Sequence, residues 1–120
     1  MSINLNDLDP EIRQKVINLQ NLSTSLEYLT QQKLQLQTTS RDTDIAIEEL
    51  EKINPDDVVY KSIGGILVKS EKNKLLDEKK SLKVTLDMRM KTIEQKLERT
   101  KSQVETLRKS IQEDFQDQNT

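Results

Sequence analysis

The sequence holds no cysteine, no histidine and no tryptophan, and its 120 residues include only two glycines, two prolines, two tyrosines and one phenylalanine. Without His or Cys there is no imidazole acid or base, no thiol nucleophile, no zinc site of the Cys/His kind and no disulfide. A chain free of disulfides suits a reducing compartment. Charge of one sign is also missing: the formal net charge is −2 although 33% of residues are charged. Nucleic-acid domains usually carry a basic surplus that releases counterions from phosphates, so no nucleic-acid partner is expected. No stretch approaches the ~20 apolar residues of a membrane span, and no basic patch leads into an apolar run near residue 1. These absences predict a soluble, cytoplasmic protein of one domain with no membrane partner.

Apolar residues are scarce as well. The hydrophobic share is 32%, against about 45–50% for a globular domain with glycine counted. A compact core of this length is out of reach, and an elongated object is expected.

What is present is periodic. The breakers Pro10, Pro55, Gly64 and Gly65 leave two long uninterrupted segments. Asp9-Pro10-Glu11 is a helix start, with Asp as cap, Pro at the first helical position and Glu at the positive dipole end. Asn54-Pro55 is a stop, because the residue before proline is pushed out of the helical region. Between them a 3-4 alternation runs from Ile12, Lys15, Leu19 and Leu22 to Lys33, Leu36, Ser40, Thr43, Ile47 and Leu50 without a slip. A second runs from Leu76, Lys79, Lys83, Leu86 and Met90 to Thr100, Val104, Leu107 and Ile111, with Ser70 as its expected cap and Glu71 in its first turn. A period of 3.5 is that of coiled-coil helices. At 1.5 Å per residue the two would be roughly 66 and 69 Å long, matched for an antiparallel pair. The competing reading is a parallel dimer of one long helix, which the Pro and Gly interruptions oppose. Polar residues in both seams, Lys33, Ser40, Thr43, Lys79 and Lys83, predict an arm that zips loosely.

The run VVYKSIGGILVKS, residues 58–70, is rich in β-branched residues and split by Gly64-Gly65. Glycine supplies the positive φ of a two-residue hairpin turn. That turn pairs Ile63 with Ile66, Lys61 with Val68 and Val59 with Ser70 on one face, and leaves Val58, Tyr60, Ser62, Leu67 and Lys69 on the other. Both faces are apolar and both strands are edges, whereas an isolated hairpin is marginal in water. Either the ribbon folds down on its own helix bases, with Lys61 and Lys69 guarding the edges, or it recruits strands from other chains.

The fold class is therefore mainly α: an antiparallel two-helix coiled coil with one β-hairpin at the helix-connecting end. The organisation is a single domain over residues 1–120, with a helix over 10–53, the hairpin over 58–69, a helix over 71–116 and a polar tail over 117–120. Apolar residues outside the seams gather near the hairpin (Ile45, Ala46, Ile53, Leu75, Leu82, Val84, Met88) and near the chain ends (Ile3, Leu5, Leu8, Val16, Ile17, Phe115). The latter either close the last turn of the coiled coil or meet a partner. Asp7, Asp9, Glu113, Asp114 and Asp117 make that end acidic.

No catalytic constellation is visible. Carboxylates lie on solvated heptad faces, the phosphate-loop spacing around Gly64-Gly65 is absent, and Glu71, Asp77 and Glu78 dilute the lysines of residues 69–83. No enzyme activity, metal or cofactor is expected.

LDPEIRQKVINLQNL at the start, VVYKSIGGILVKS between heptad helices and the following EKNKLLDEKKSL together resemble the β-class subunit of prefoldin, the archaeal co-chaperone, over nearly the whole chain. The resemblance implies a hexamer of two α-class and four β-class subunits, in which hairpins form a double β-barrel platform and coiled coils hang from it as tentacles. Unfolded polypeptides are held at the tentacle tips and passed to a group II chaperonin without ATP use. By position, Val58, Val59, Tyr60, Ile63, Gly64, Gly65, Ile66, Leu67 and Val68 would serve assembly. Ile3, Leu5, Leu8, Ile12, Val16, Ile111 and Phe115 would meet clients. The alternative function is a coiled-coil scaffold or tether for one folded partner.

Overall fold

A computed structural model describes residues 4–118. The elements in chain order are a short 3₁₀ turn at Leu5–Asp7, helix α1 at Pro10–Lys52, strands β1 at Val59–Ile63 and β2 at Ile66–Ser70, and helix α2 at Lys72–Gln118. The chain divides into a terminal unit, Met1–Gln32 with Ile93–Thr120, and a hairpin unit, Lys33–Thr92. No described helix is long and apolar enough to cross a membrane.

Local chemistry sets the boundaries. Asp9 caps α1: its Oδ1 accepts from the Glu11 amide at 3.0 Å and its carbonyl accepts from Arg13 N at 2.8 Å, which satisfies amides that have no partner inside the helix. After Lys52 the chain turns through Asn54-Pro55-Asp56-Asp57. Asp57 N donates to the Asn54 carbonyl at 3.0 Å, and Asn54 N donates to Asp57 Oδ2 at 2.9 Å. Lys72 then reaches from the start of α2 to the Ile53 carbonyl at 2.5 Å, placing a cation at the negative end of α1.

Ser70 is not the cap of α2, contrary to the sequence expectation. It pairs with Val59 as the last residue of β2, and the first helical bond runs from Leu75 N to the Glu71 carbonyl at 3.0 Å. The strand ladder holds Ser70 in extended backbone and delays the helix.

In the terminal unit the two helical segments run antiparallel, with Ile12, Ile93, Leu97, Thr100, Val104 and Ile111 buried, and Leu19, Leu22, Leu26, Leu29 and Leu107 half-buried. In the hairpin unit Thr43, Leu75 and Leu86 are buried, while Leu36, Ser40, Ile47, Leu50, Leu76, Lys79, Lys83 and Met90 are half-buried. Every position of the two 3-4 alternations is thus withdrawn from open solvent. A strip this narrow hides few side chains completely, and its stability comes from many partial burials.

Several polar seam residues find hydrogen-bond partners. Lys83 donates to Ser40 Oγ at 2.5 Å and to Asp44 Oδ2 at 2.9 Å across the seam, and its ammonium lies 3.8 Å from Asp87 on its own helix. Lys15 repeats the arrangement in the terminal unit with the helices exchanged, donating to Ser110 Oγ at 2.8 Å and to Asp114 Oδ2 at 2.6 Å. In each clasp a seam lysine meets a serine and an aspartate one helical turn apart on the other helix. Buried Thr43 turns its hydroxyl back to the Thr39 carbonyl at 2.7 Å, so it packs as a small side chain with its hydrogen bond made. Among the described residues no buried side-chain polar atom lacks a partner.

Leu97→Ala should lower stability by about 2–4 kcal/mol, in the range for buried leucine truncations, whereas Leu34→Ala at an exposed site should stay within about 0.5 kcal/mol. Urea unfolding followed by circular dichroism distinguishes the two. The clasps also set a pH dependence. Hydrogen bonds to Asp114 and Asp44 raise the pKa of Lys15 and Lys83 above the ordinary 10.5. Lysines raised in the folded state stabilise it fully below that ordinary value, and the contribution is lost as pH rises through the raised pKa. The melting temperature should therefore hold through neutral pH and fall in strong alkali, and a Lys15→Met/Lys83→Met variant should lose that part of the alkaline fall.

Candidate assembly and client-contact surfaces

The hairpin pairs Val59 with Ser70, Tyr60 with Lys69, Lys61 with Val68, Ser62 with Leu67 and Ile63 with Ile66, in antiparallel register. Gly64 and Gly65 take φ of 54° and 84°. Positive φ at both central residues is the type I′ geometry, whose twist matches that of the strands. A Cβ at either glycine would meet open space, so backbone conformation and not crowding calls for glycine here.

The ribbon has little cover from its own chain. Val59 and Ser70, at its base, are half-buried; the other residues of both strands are exposed, with Leu67 at 72% and Ile66 at 63%. Val58, Tyr60, Ile63 and Val68 are exposed too. Folding down on the helix bases is therefore not what this ribbon does. One ion pair ties it to α2: Lys61 Nζ lies 2.8 Å from Glu78 Oε2. That hydrogen bond, with Lys74 and Lys79 adding positive potential, lowers the Glu78 pKa. A lowered carboxyl pKa contributes stability that is present above the ordinary value and lost as pH falls through the lowered one. Beside this tie, a cavity of about 440 Å³ opens between the ribbon and the helices, lined by Ala46, Leu50, Ile53 and Leu75 below and by Tyr60, Lys61 and Ser62 above.

The apolar residues that the sequence groups near the hairpin divide into two sets. Leu75 is buried and Ala46 and Ile53 are half-buried, so these three widen the seam. Ile45, Leu82, Val84 and Met88 are exposed. Ala46 and Leu75 directly precede the seam residues Ile47 and Leu76, but Leu82 also precedes a seam residue, Lys83, and is exposed, so sequence position alone does not separate the two sets.

In the terminal unit, Ile12 and Ile111 are buried in the seam, while Leu5, Leu8, Val16 and Phe115 are half-buried and Ile17 is exposed. Ile3 lies outside the described residues. Ile12 and Ile111 therefore close the end of the helix pair in this conformation and are not offered at its surface. The Lys15 clasp stands beside them, its ammonium charge favoured first by Asp114 and then by Glu11 and Glu113. Of the acidic groups at this end, Asp114 is thus engaged in holding the helices together. The same unit carries an open groove of about 750 Å³ with Leu22 and Leu107 at its floor and Asn18, Asn21, Ser25, Ser102 and Thr106 along its walls.

Comparison with known proteins gives this geometry a family. The profile of the prefoldin subunit family matches residues 13–118. Prefoldin subunit beta of Archaeoglobus fulgidus is 32% identical over 108 residues, which cover 90% of this chain and 93% of that protein. Prefoldin subunit beta of Methanosarcina acetivorans is 30% identical over 107 residues, covering 89% and 92%. The crystal structure of the prefoldin beta subunit from Thermococcus strain KS-1 aligns with a TM-score of 0.78 at 27% identity, over 89% of this chain and 94% of that one. Both helices and the hairpin fall within these matches, and the chain belongs to the prefoldin family of chaperone subunits, in its beta class.

Proposed function

We propose that this chain is one subunit of a hetero-oligomeric holdase, assembled through its hairpin and capturing non-native polypeptides with the end of its helix pair. The observation that carries the proposal is the uncovered ribbon. A two-stranded sheet has two open edges, and such edges accept further strands. Its apolar residues Val58, Val59, Tyr60, Ile63, Ile66, Leu67 and Val68 supply the burial, each side chain being worth about 1.5–3 kcal/mol when fully covered. Gly64 and Gly65 fix the register in which those residues are presented. Partner chains of the α class and further copies of this chain, joined as a hexamer with a β-barrel platform, provide the missing strands.

Capture needs contacts that are weak one by one and numerous together, because an unfolded chain has no fixed shape to complement. Several subunits in one assembly supply that multiplicity, and linked weak sites gain about 10²–10⁴ in avidity. Leu5, Leu8, Ile12, Val16, Ile111 and Phe115, with Ile3, are the apolar residues of the capturing end. Surrounding carboxylates keep it dispersed and steer basic surfaces. Held clients pass to a group II chaperonin, and the holding runs on binding energy without ATP.

Ile66→Lys or Val68→Lys should release subunits from the assembly, read as a drop in mass by light scattering, while circular dichroism keeps its helical signal; an unchanged mass refutes strand sharing. Removing residues 1–16 and 108–120 should leave assembly intact and abolish suppression of aggregation of reduced, unfolded lysozyme. Trimmed complexes that protect as well as intact ones refute capture by the terminal unit.

A further inference from the structure

Ile12 is the most deeply buried side chain among the described residues, at 3% exposure. Its place in the first turn of α1 makes this unexpected, because the end of a two-helix pair has no third element to close it. Ile111, near the end of the α2 seam, is buried as well. Half-buried Val16 and Phe115 lie at the same end, and the segment before α1 is placed to add to this cover. Leu5 and Leu8 are both half-buried. At a reach of at most about 3.6 Å per residue, Leu8 cannot leave the neighbourhood of Ile12, so this end of the helix pair is the nearest surface on which the segment can rest.

The attachment of the segment is apolar. The 3₁₀ turn is held by bonds within itself: Asn6 N donates to Asn4 Oδ1 at 3.0 Å, Asp7 N to the Asn4 carbonyl at 3.0 Å and Leu8 N to the Leu5 carbonyl at 3.3 Å. Among the described residues, no hydrogen bond or ion pair of Asn4–Leu8 reaches either helix. Lifting it breaks no polar contact to the helices and leaves the Asp9 cap and the Lys15 clasp in place. Segments held in this way sit at the low end of local stability.

We propose that Asn4–Leu8 is a displaceable lid whose Leu5 and Leu8 stand in for the apolar side chains of a client, which replaces them over Ile12, Ile111 and Phe115. The inference rests on the reading of this end as the capturing surface and changes the role of two of its residues, from contacts to competitors. Exchange of like for like keeps net affinity low and capture reversible. It also hides an apolar patch that would otherwise join copies to one another.

The test uses the reconstituted hetero-oligomer with reduced, unfolded lysozyme as client. Leu5→Ser/Leu8→Ser should hold the client at about three- to tenfold lower chaperone concentration, the gain for a surface that is uncovered about 10–30% of the time in the parent protein. Binding of the dye bis-ANS should rise even though two leucines have been removed. Asn4→Ala, which takes away the side-chain acceptor of the turn and no apolar group, should shift both readouts the same way by a smaller factor. Circular dichroism verifies that α1 and α2 persist. Equal or weaker capture by both variants, with helix content retained, overturns the lid. If in addition complexes lacking residues 1–16 and 108–120 still capture, the fault lies with the assignment of the capturing surface; if those complexes are inactive, the lid alone fails.

Discussion

A β-ribbon with side chains such as Ile66 on one face and Leu67 on the other, and an open edge along each strand, has no stable existence alone in water. The rest of this molecule follows from that constraint. Lys61 ties the ribbon to Glu78, which positions it without covering it. The cavity beneath Tyr60 shows how little the helix bases contribute. Membership of the prefoldin family and the open edges together make sense of a sequence that invests its β-branched residues where its own fold cannot bury them.

The same constraint explains what was legible in the sequence. Heptads declare themselves because every seam position repeats one requirement, and the ladder from Val59–Ser70 to Ile63–Ile66 follows once Gly64-Gly65 is taken as a type I′ turn. Neither inference needs to know what touches what across the fold. Ser70 misleads because a serine before a glutamate satisfies the rules for a cap as well as for a strand end, and the choice between them is made by Val59, whose pairing is not a local property. Leu75 reads as surplus grease for the same reason: a residue flanking a seam is buried or exposed according to how closely the facing helix approaches.

The lysines of the seams show the limit most clearly. Read along the chain, Lys15 and Lys83 weaken an apolar stripe. In the structure each sends its ammonium to a serine and an aspartate on the facing helix. Partly exposed pairs of this kind contribute little free energy each. Their importance lies in the alternative, since a lysine drawn into a seam without a partner would cost far more than its clasp returns. Ser40 and Asp44 in one unit, and Ser110 and Asp114 in the other, are a recognisable pattern only when the opposing lysine is known.

The end of the helix pair faces a different balance from its interior. A protein that holds unfolded chains needs apolar surface within reach of solvent, yet an uncovered patch invites its own copies before it meets a client. Ile12 and Ile111 lie at the meeting point of these demands, belonging to the seam and to the end at once. Strong contacts there would trap clients, and a permanently open end would aggregate. Cover by a short segment without polar anchorage meets both demands. In the proposed lid, such cover costs a client little to displace and restores a closed surface when the client leaves. In the proposed assembly, retention depends on how many ends act together, which returns the burden to the ribbon, because the proposed shared sheet is what would bring several ends to one client.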